Sequence, residues 1–316
     1  MKKNKSIILL ILLIFAIGLT GCEKGTNIQK DPLGGLKKAQ SNMYNLSAIK
    51  QKIKTETDKE IDGIENTEAI VTYDFNTDKG YIETESDGKV AAIFVDKDKM
   101  YVKDGETDKY VDLSDSIIKT ILLSTINSNE LNKDYKTLND EISNLMKPEN
   151  VSIEDAELTI NEKNKKVKKI TATMPQEEAN KILSKYMENI MKNMMNGFIE
   201  QMTEYQISTE EKITGKTISD EEKAKIKDNL TIKMNEQMQK QLKAMNFSDI
   251  KYVFYVKDNI ILKSELIYNI TVDGEKSNVK TTSEILEYGK DVKCPEVPKD
   301  KIISIEDFSK TQPNNK

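Results

Sequence analysis

Two of the side chains most used in protein chemistry, imidazole and guanidinium, are missing from this chain. Among 316 residues there is no His and no Trp, and all 48 basic residues are Lys. Without imidazole there is no Ser-His-Asp or Cys-His nucleophile and no HExxH zinc site. Without guanidinium there is no bidentate fork for phosphate or guanine. Two cysteines remain, Cys22 and Cys294, with 53 carboxylates and a set of serines followed three residues later by lysine. Ser47, Ser86, Ser116, Ser248 and Ser277 have that spacing, which a Ser-Lys acyl-transfer pair would use. Lysine is dense enough for chance to supply most of these pairs, and the KTG and SDN partners of the penicillin-binding class are absent. Asp74, Asn76, Asp78 and Glu85 stand at positions 1, 3, 5 and 12 of an EF-hand loop, but Lys79 occupies the position that must be Gly. A hairpin turn is the better reading. Gly215-Lys216-Thr217 matches only the end of a P-loop, whose first Gly would fall on Glu210. Cys294 has no His or Arg to lower its pKa, so a packed structural cysteine is expected. No residue set specifies a reaction: no catalytic residue, cofactor or metal site is expected.

The amino terminus is more informative. Lys2, Lys3 and Lys5 precede Ile7–Leu19, a run of 13 residues without a charge. A basic start, an apolar stretch of this length and small residues at its end describe an export signal. A membrane-spanning helix needs ~20 apolar residues. Leu19-Thr20-Gly21-Cys22 follows, and here the chain resembles the bacterial membrane lipoproteins of Gram-positive type, with their lipobox. The resemblance implies diacylglycerol on the Cys22 sulfur, cleavage between Gly21 and Cys22, and an address on the outer face of the cytoplasmic membrane. An ordinary signal peptidase cutting nearby is the alternative. The chain has a net charge of −5, and loss of three leader lysines makes it more acidic. Such a protein is a poor nucleic-acid binder and is not drawn to anionic lipid, so the membrane contact falls to the lipid on Cys22. Once Cys22 is a thioether, Cys294 has no intramolecular partner, and no disulfide is expected.

The elements that position any site follow from periodicity. Residues 22–31 are polar and read as a tether. Leu33, Leu36, Ala39, Met43 and Leu46 recur at helical spacing, predicting a helix over 32–45. Alternating runs then extend to Leu113, broken at Asp87-Gly88 and Asp104-Gly105, as in an antiparallel meander. Helical signals return at 114–146, ended by Pro148. A hairpin at 151–174 turns at Asn161–Asn164, and two long helices fill 176–246, the second opened by the capping box Ser219–Glu222. Strands resume at 250–257, 260–273 and 276–287, and Cys294, Pro295 and Pro298 open an extended carboxy-terminal segment.

This order excludes βαβ alternation. It predicts an α+β fold: a curved antiparallel sheet, a half-barrel meander, with helices on one face and a Met-rich helical pair inserted at 176–246. The entry from Leu36-Lys37-Lys38-Ala39-Gln40 to Ile53, and the close from Thr282 to Gly289 and Cys294 to Pro298, resemble the LolA-like and LppX/LprG-like lipoproteins. That resemblance implies a concave sheet face covered by helices and able to hold lipid. The expected organisation is a leader at 1–21, a tether at 22–31, one domain at 32–308 and a polar tail at 309–316.

The helical pair has an unusual pattern. Apolar doublets recur every four residues from Ile182-Leu183 to Phe198-Ile199, and Ile226, Leu230, Met234, Met238 and Leu242 repeat the spacing. A four-residue repeat drifts ~40° per step on a straight helix. The first stripe therefore either bends, at Gly197, or meets the sheet at one end and the second helix at the other. Met187, Met191, Met194, Met195, Met234 and Met238 form either core or an adaptable apolar ligand surface.

Two functions remain: an anchored, non-enzymatic lipoprotein that binds lipid or another apolar ligand, or an envelope scaffold that engages a protein partner and encloses no ligand. The anchor is directly testable. Cys22→Ser removes the lipobox acyl acceptor, so incorporation of a fatty-acid analogue in cells should fall to background; incorporation equal to wild type would falsify the anchor.

Overall fold

The computed structural model describes residues 28–60, 66–86, 89–97, 99–103, 105, 107–114, 141 and 145–311. Cys22, Gly197 as a side-chain environment, and nearly all of the 114–146 helical expectation lie outside the described residues.

Helix α1 (Pro32–Tyr44) starts where Asp31 accepts the Gly34 N–H at 2.9 Å and Pro32 presets the first turn. The expected meander follows as β1 (Ala48–Thr57), β2 (Thr67–Asp74), β3 (Lys79–Ser86), β4 (Lys89–Asp96), β5 (Lys99–Lys103) and β6 (Tyr110–Asp112). After a 3₁₀ turn come β7 (Val151–Ile160) and β8 (Lys163–Thr173), then α2 (Gln176–Thr214) and α3 (Asp220–Ala244). The chain closes with β9 (Met245–Lys257), β10 (Ile260–Val272), β11 (Glu275–Tyr288), β12 (Ile302–Ser304) and α4 (Ile305–Thr311).

The described strands form one curved, unclosed sheet in the order β12-β6-β5-β4-β3-β2-β1-β11-β10-β9-β8-β7. Every pairing is antiparallel except β12 with β6. β1 pairs with β11, joining the first meander to the last, and β8 pairs with β9 across the inserted helical pair. Three hairpins turn on two residues that both have positive φ: Asn161-Glu162, Asp258-Asn259 and Asp273-Gly274. That is the geometry matched to strand twist, and it favours Asn, Asp and Gly.

The fold class is thus α+β as expected, and four details differ. The β7–β8 turn is tighter than Asn161–Asn164, because Asn164 already pairs with Thr159. β9 begins at Met245, ahead of the expected 250; the register slips near Asp249, whose φ is +56°, and this irregularity hides the alternation. The carboxy-terminal segment holds the parallel strand β12 and helix α4, which runs past 308 into the expected tail. Finally, the end of the expected tether is packed: Ile28 joins the core cluster and lies so close to Gly35 that a Cβ there would come within 2.6 Å of it.

Register identifies the covered face. One row of paired residues runs Ile153–Ile170–Phe254–Ser264–Ser283–Ile53–Ala69–Thr84–Ala91, from β7 to β4. The adjacent row Gln51–Val71–Ile82–Ile93–Val102–Val111–Ile303 carries the same face to β12. α1 packs on it through Leu36 and Ala39, α2 through Ala179 and Leu183, and α4 through Phe308. A smaller cluster of Leu158, Ile160, Val167 and Leu262 lies where the β7–β8 tip curls over the opposite face and Asn161 donates to the Leu286 carbonyl at 3.0 Å.

Ile170 is fully buried at the centre of the largest cluster. Ile170→Ala should cost ~2–5 kcal/mol in denaturant unfolding. Ile213→Ser, at a position 79% exposed, should stay within ~0.5 kcal/mol of wild type. Equal losses would contradict this placement of the core.

Candidate functional site

The covered face is apolar at its two wings and polar through its middle. On one wing Tyr252, Phe254, Leu266, Tyr268 and Val279 pack with α1 and the start of α2. On the other side of β11, Ile53, Ala69 and Val71 form a cluster with Ile82, and Met100, Val111 and Leu113 form a further one toward β12. Between and beside them, β11 and β1 bury Ser277, Thr281, Ser283, Gln51 and Thr55 in the phase occupied elsewhere by Val279, Ile285 and Ile53. Some of these groups satisfy one another. The Ser283 hydroxyl donates to Gln51 Oε1 at 3.0 Å, and the Thr57 and Ser277 hydroxyls meet at 2.5 Å.

Others have no hydrogen-bond partner among the described residues. Both side-chain atoms of Gln40, Nε2 of Gln51 and the hydroxyl of Tyr252 are buried without a hydrogen bond. Gln40 and Gln51 are each 1% exposed and Tyr252 5%. An unpaired buried polar group costs ~1–3 kcal/mol, so a tightly packed apolar interior would select against all three. Burial pushes the Tyr252 and Tyr268 phenols above their ordinary pKa, leaving both uncharged at neutral pH.

The charges of the central strands lie on the other face. Lys52–Glu68 at 2.6 Å and Lys54–Glu56 at 2.7 Å are exposed pairs there, while Glu265 is buried between Lys263 and Lys280 at 2.9 and 3.2 Å. Burial pushes the Glu265 carboxyl up, while the two ammonium groups pull it further down, leaving it below the usual carboxylate range.

The structure separates the residues singled out by sequence. Met191, Met195, Met234 and Met238 pack with Ile199, Leu230 and Leu242 between α2 and α3, a cluster distinct from the sheet core. They therefore face a helix, where a ligand surface against the sheet would need them to face strands. The four-residue drift explains this: α2 meets the sheet at Ala179, Ile182 and Leu183 and has turned toward α3 by Met191. Met187 and Met194 lie in α2, but their side chains are outside those described. Gly21 and Cys22 are likewise outside the described residues.

The rejected motifs have local explanations. Asp74 accepts the N–H groups of Asn76 and Thr77 at 2.9 and 3.2 Å, the bonds of a turn. Gly215 ends α2 in the left-handed region at φ +66°. Among the described residues no group of three or more Cys, Asp or Glu is placed to hold a metal ion. No described helix is long and apolar enough to cross a membrane.

Sequence periodicity reads the polar middle of the face only as strand alternation. Its signal was present in the sequence: Gln51 and Thr55 alternate in phase with Ile53, as do Ser277, Thr281 and Ser283 with Val279 and Ile285.

No protein-family profile matches the chain, and no curated protein does. Among solved structures, the lipoprotein LppX of Mycobacterium tuberculosis is similar to it at 10% identity, with 84% of this chain and 100% of that one covered and a TM-score of 0.39.

Cys294 lies against the β2–β3 hairpin, its thiol donating to the carbonyls of Lys79 at 3.2 Å and Thr72 at 3.6 Å. Burial pushes its pKa above the ordinary thiol value, so less thiolate is present than in a free cysteine. Alkylation by iodoacetamide at pH 8 should be several-fold slower than in the denatured chain. Folded-state alkylation at the denatured rate would place this thiol in solvent.

Proposed function

We propose that the protein is an extracytoplasmic lipoprotein, held to the outer face of the cytoplasmic membrane by lipid on Cys22, that binds an apolar or amphiphilic ligand against the covered face of its sheet without catalysing a reaction. The reading rests on one observation: among the described residues, a buried hydroxyl- and amide-lined band on β11 and β1 interrupts the apolar clusters of the covered face. A purely structural core joins its clusters through aliphatic contacts. A ligand wall instead combines apolar area with a few convergent polar groups. The absence of His and Arg in the sequence supports a binding role over an enzymatic one.

The decisive experiment is native mass spectrometry and fluorescent fatty-acid titration of the purified mature protein. Co-purified lipid, or saturable probe binding that the lipid displaces, is the expected outcome. Absence of both would remove the ligand reading.

A second reading has its own support. Phe198, Tyr205, Ile213 and Ile232 are exposed on the helical pair, and exposed apolar side chains on one projection suit a protein partner. Phe198, Met202, Tyr205 and Ile213 follow helical spacing along α2. Under the scaffold reading, Tyr205→Ser with Ile213→Ser should abolish in-cell crosslinking to a partner and leave lipid capture untouched.

A further inference from the structure

We infer that the entry to α1 is a clamp that sets how the domain stands on a lipid bilayer. Ile28 is seated against the first turn of α1, and the surface from Ile28 to Lys38 is turned to the anionic headgroups, with the far end of the helical pair held away. The inference rests on the Cys22 anchor proposed above and names the surface that the anchored domain presents to the membrane.

The clamp is built into the first turn of α1. Gly34 and Gly35 are both buried there, although glycine is the poorest helix former after proline. Ile28 gives the reason at Gly35. A Cβ at that position would lie 2.5 Å from Ile28 Cγ1 and 2.6 Å from its Cα and Cβ. Asp31 holds the turn between the two, its carboxylate accepting the Gly34 N–H and its carbonyl the Gly35 N–H, each at 2.9 Å. Ile28 also packs against the core cluster that contains Leu36 and Ala39 of α1 and Ala179 and Leu183 of α2. From Ile28 onward, then, the chain belongs to the packed domain. Cys22 lies six residues earlier, a covalent reach of at most ~20 Å. Lipid on Cys22 would keep Ile28 and its surroundings within that distance of the headgroups.

Charge distinguishes the two ends. The chain is acidic as a whole, but Ile28 to Lys38 holds Lys30, Lys37 and Lys38 against Asp31 alone. In the helical pair, the halves next to the sheet, 176–195 and 233–244, carry six lysines and four carboxylates. The distal part, 196–232, carries five lysines and eight carboxylates. Leu183 shares a cluster with Ile28, and α2 continues to its end at Gly215 ~48 Å farther along the helix. An anionic surface attracts lysines and repels carboxylates that come within a Debye length, ~10 Å. It therefore draws in the entry and pushes away the tip.

The test uses the lipidated protein in vesicles of phosphatidylcholine with phosphatidylglycerol as the minor component. A donor dye is placed on Gln29→Cys or Thr217→Cys, both exposed positions, each with Cys294→Ser, and the acceptor is carried by labelled headgroups. Energy transfer from position 29 should exceed that from 217 several-fold. Gly35→Ala unseats Ile28 and lengthens the leash, so the ratio should fall toward one while the thermal midpoint shows a folded protein. Transfer from 217 equal to or above that from 29 overturns the orientation. A ratio left unchanged by Gly35→Ala overturns the clamp. Should Gly35→Ala not fold, Ile28→Gly empties the same seat without crowding α1 and decides the point by the same ratio. Protein that carries no acyl chain and does not float with the vesicles overturns the anchor and this inference together, whereas floating protein with equal transfer overturns the inference alone.

Discussion

The antiparallel ladder between β1 and β11 is the pairing on which the rest of the sheet depends. It couples segments far apart in the chain, with Thr55 opposite Thr281 across 226 residues. Without it the molecule would be two meanders, each with an exposed edge and half a covered face. With it, the hairpins at either end are fixed in one surface, and the buried polar band falls on the joining strands themselves. Closing so long a loop carries an entropic cost that grows only slowly with length, but it must be met before the contacts form. The local hairpins, with their two-residue turns, reduce what remains to be ordered when that ladder closes.

The two faces divide the work. The outer face of the central strands is a lattice of Lys with Asp or Glu, mostly exposed, and each such pair contributes ~0–1 kcal/mol. That lattice sets solubility and leaves cohesion to the covered face. The free edges are guarded in the same spirit. β12 is only three residues long, and β7 carries Glu154, Asp155 and Glu157 along its outer course. Short and charged edges discourage strand addition from another molecule.

Local chemistry made much of the fold legible. Ser219 with Glu222 marks a helix start in sequence and does so in the structure, and the apolar spacing from Leu33 places α1, whose Asp31 cap the structure adds. The Asp-Gly and Asp-Asn dipeptides at 273–274 and 258–259 mark turns with both residues at positive φ. The drifting stripe of α2 left two outcomes, a bend at Gly197 or a helix with two partners, and the contacts at Ala179 and at Met191 match the second. Non-local features were harder to read. β12 pairs with β6 through three residues whose partner lies nearly two hundred positions earlier, and no local pattern announces it. The start of β9 is disguised by the slip at Asp249, which donates its N–H to Gln176 Oε1 and so borrows a side chain from α2. The unpaired state of Gln40 and Tyr252 depends on what packs around them from other elements, which composition does not encode; only the phase of Gln51 within an apolar alternation was visible.

The length of α2 has a mechanical side. Its 39 residues extend ~58 Å at 1.5 Å per residue. Its contacts with the sheet core come from the first turns, at Ala179, Ile182 and Leu183, together with Gln176 and Asn180 bonding the backbone of β9. The helix is therefore a lever with its fulcrum at the sheet, and α3 doubles back along it as a brace through Ile199 and Met238. A tilt of ~10° at the root would sweep the far end by ~10 Å at that helix rise. The same root residues belong to the cluster that includes Tyr252, so the fulcrum of the lever and the covered face of the sheet share one set of packed side chains.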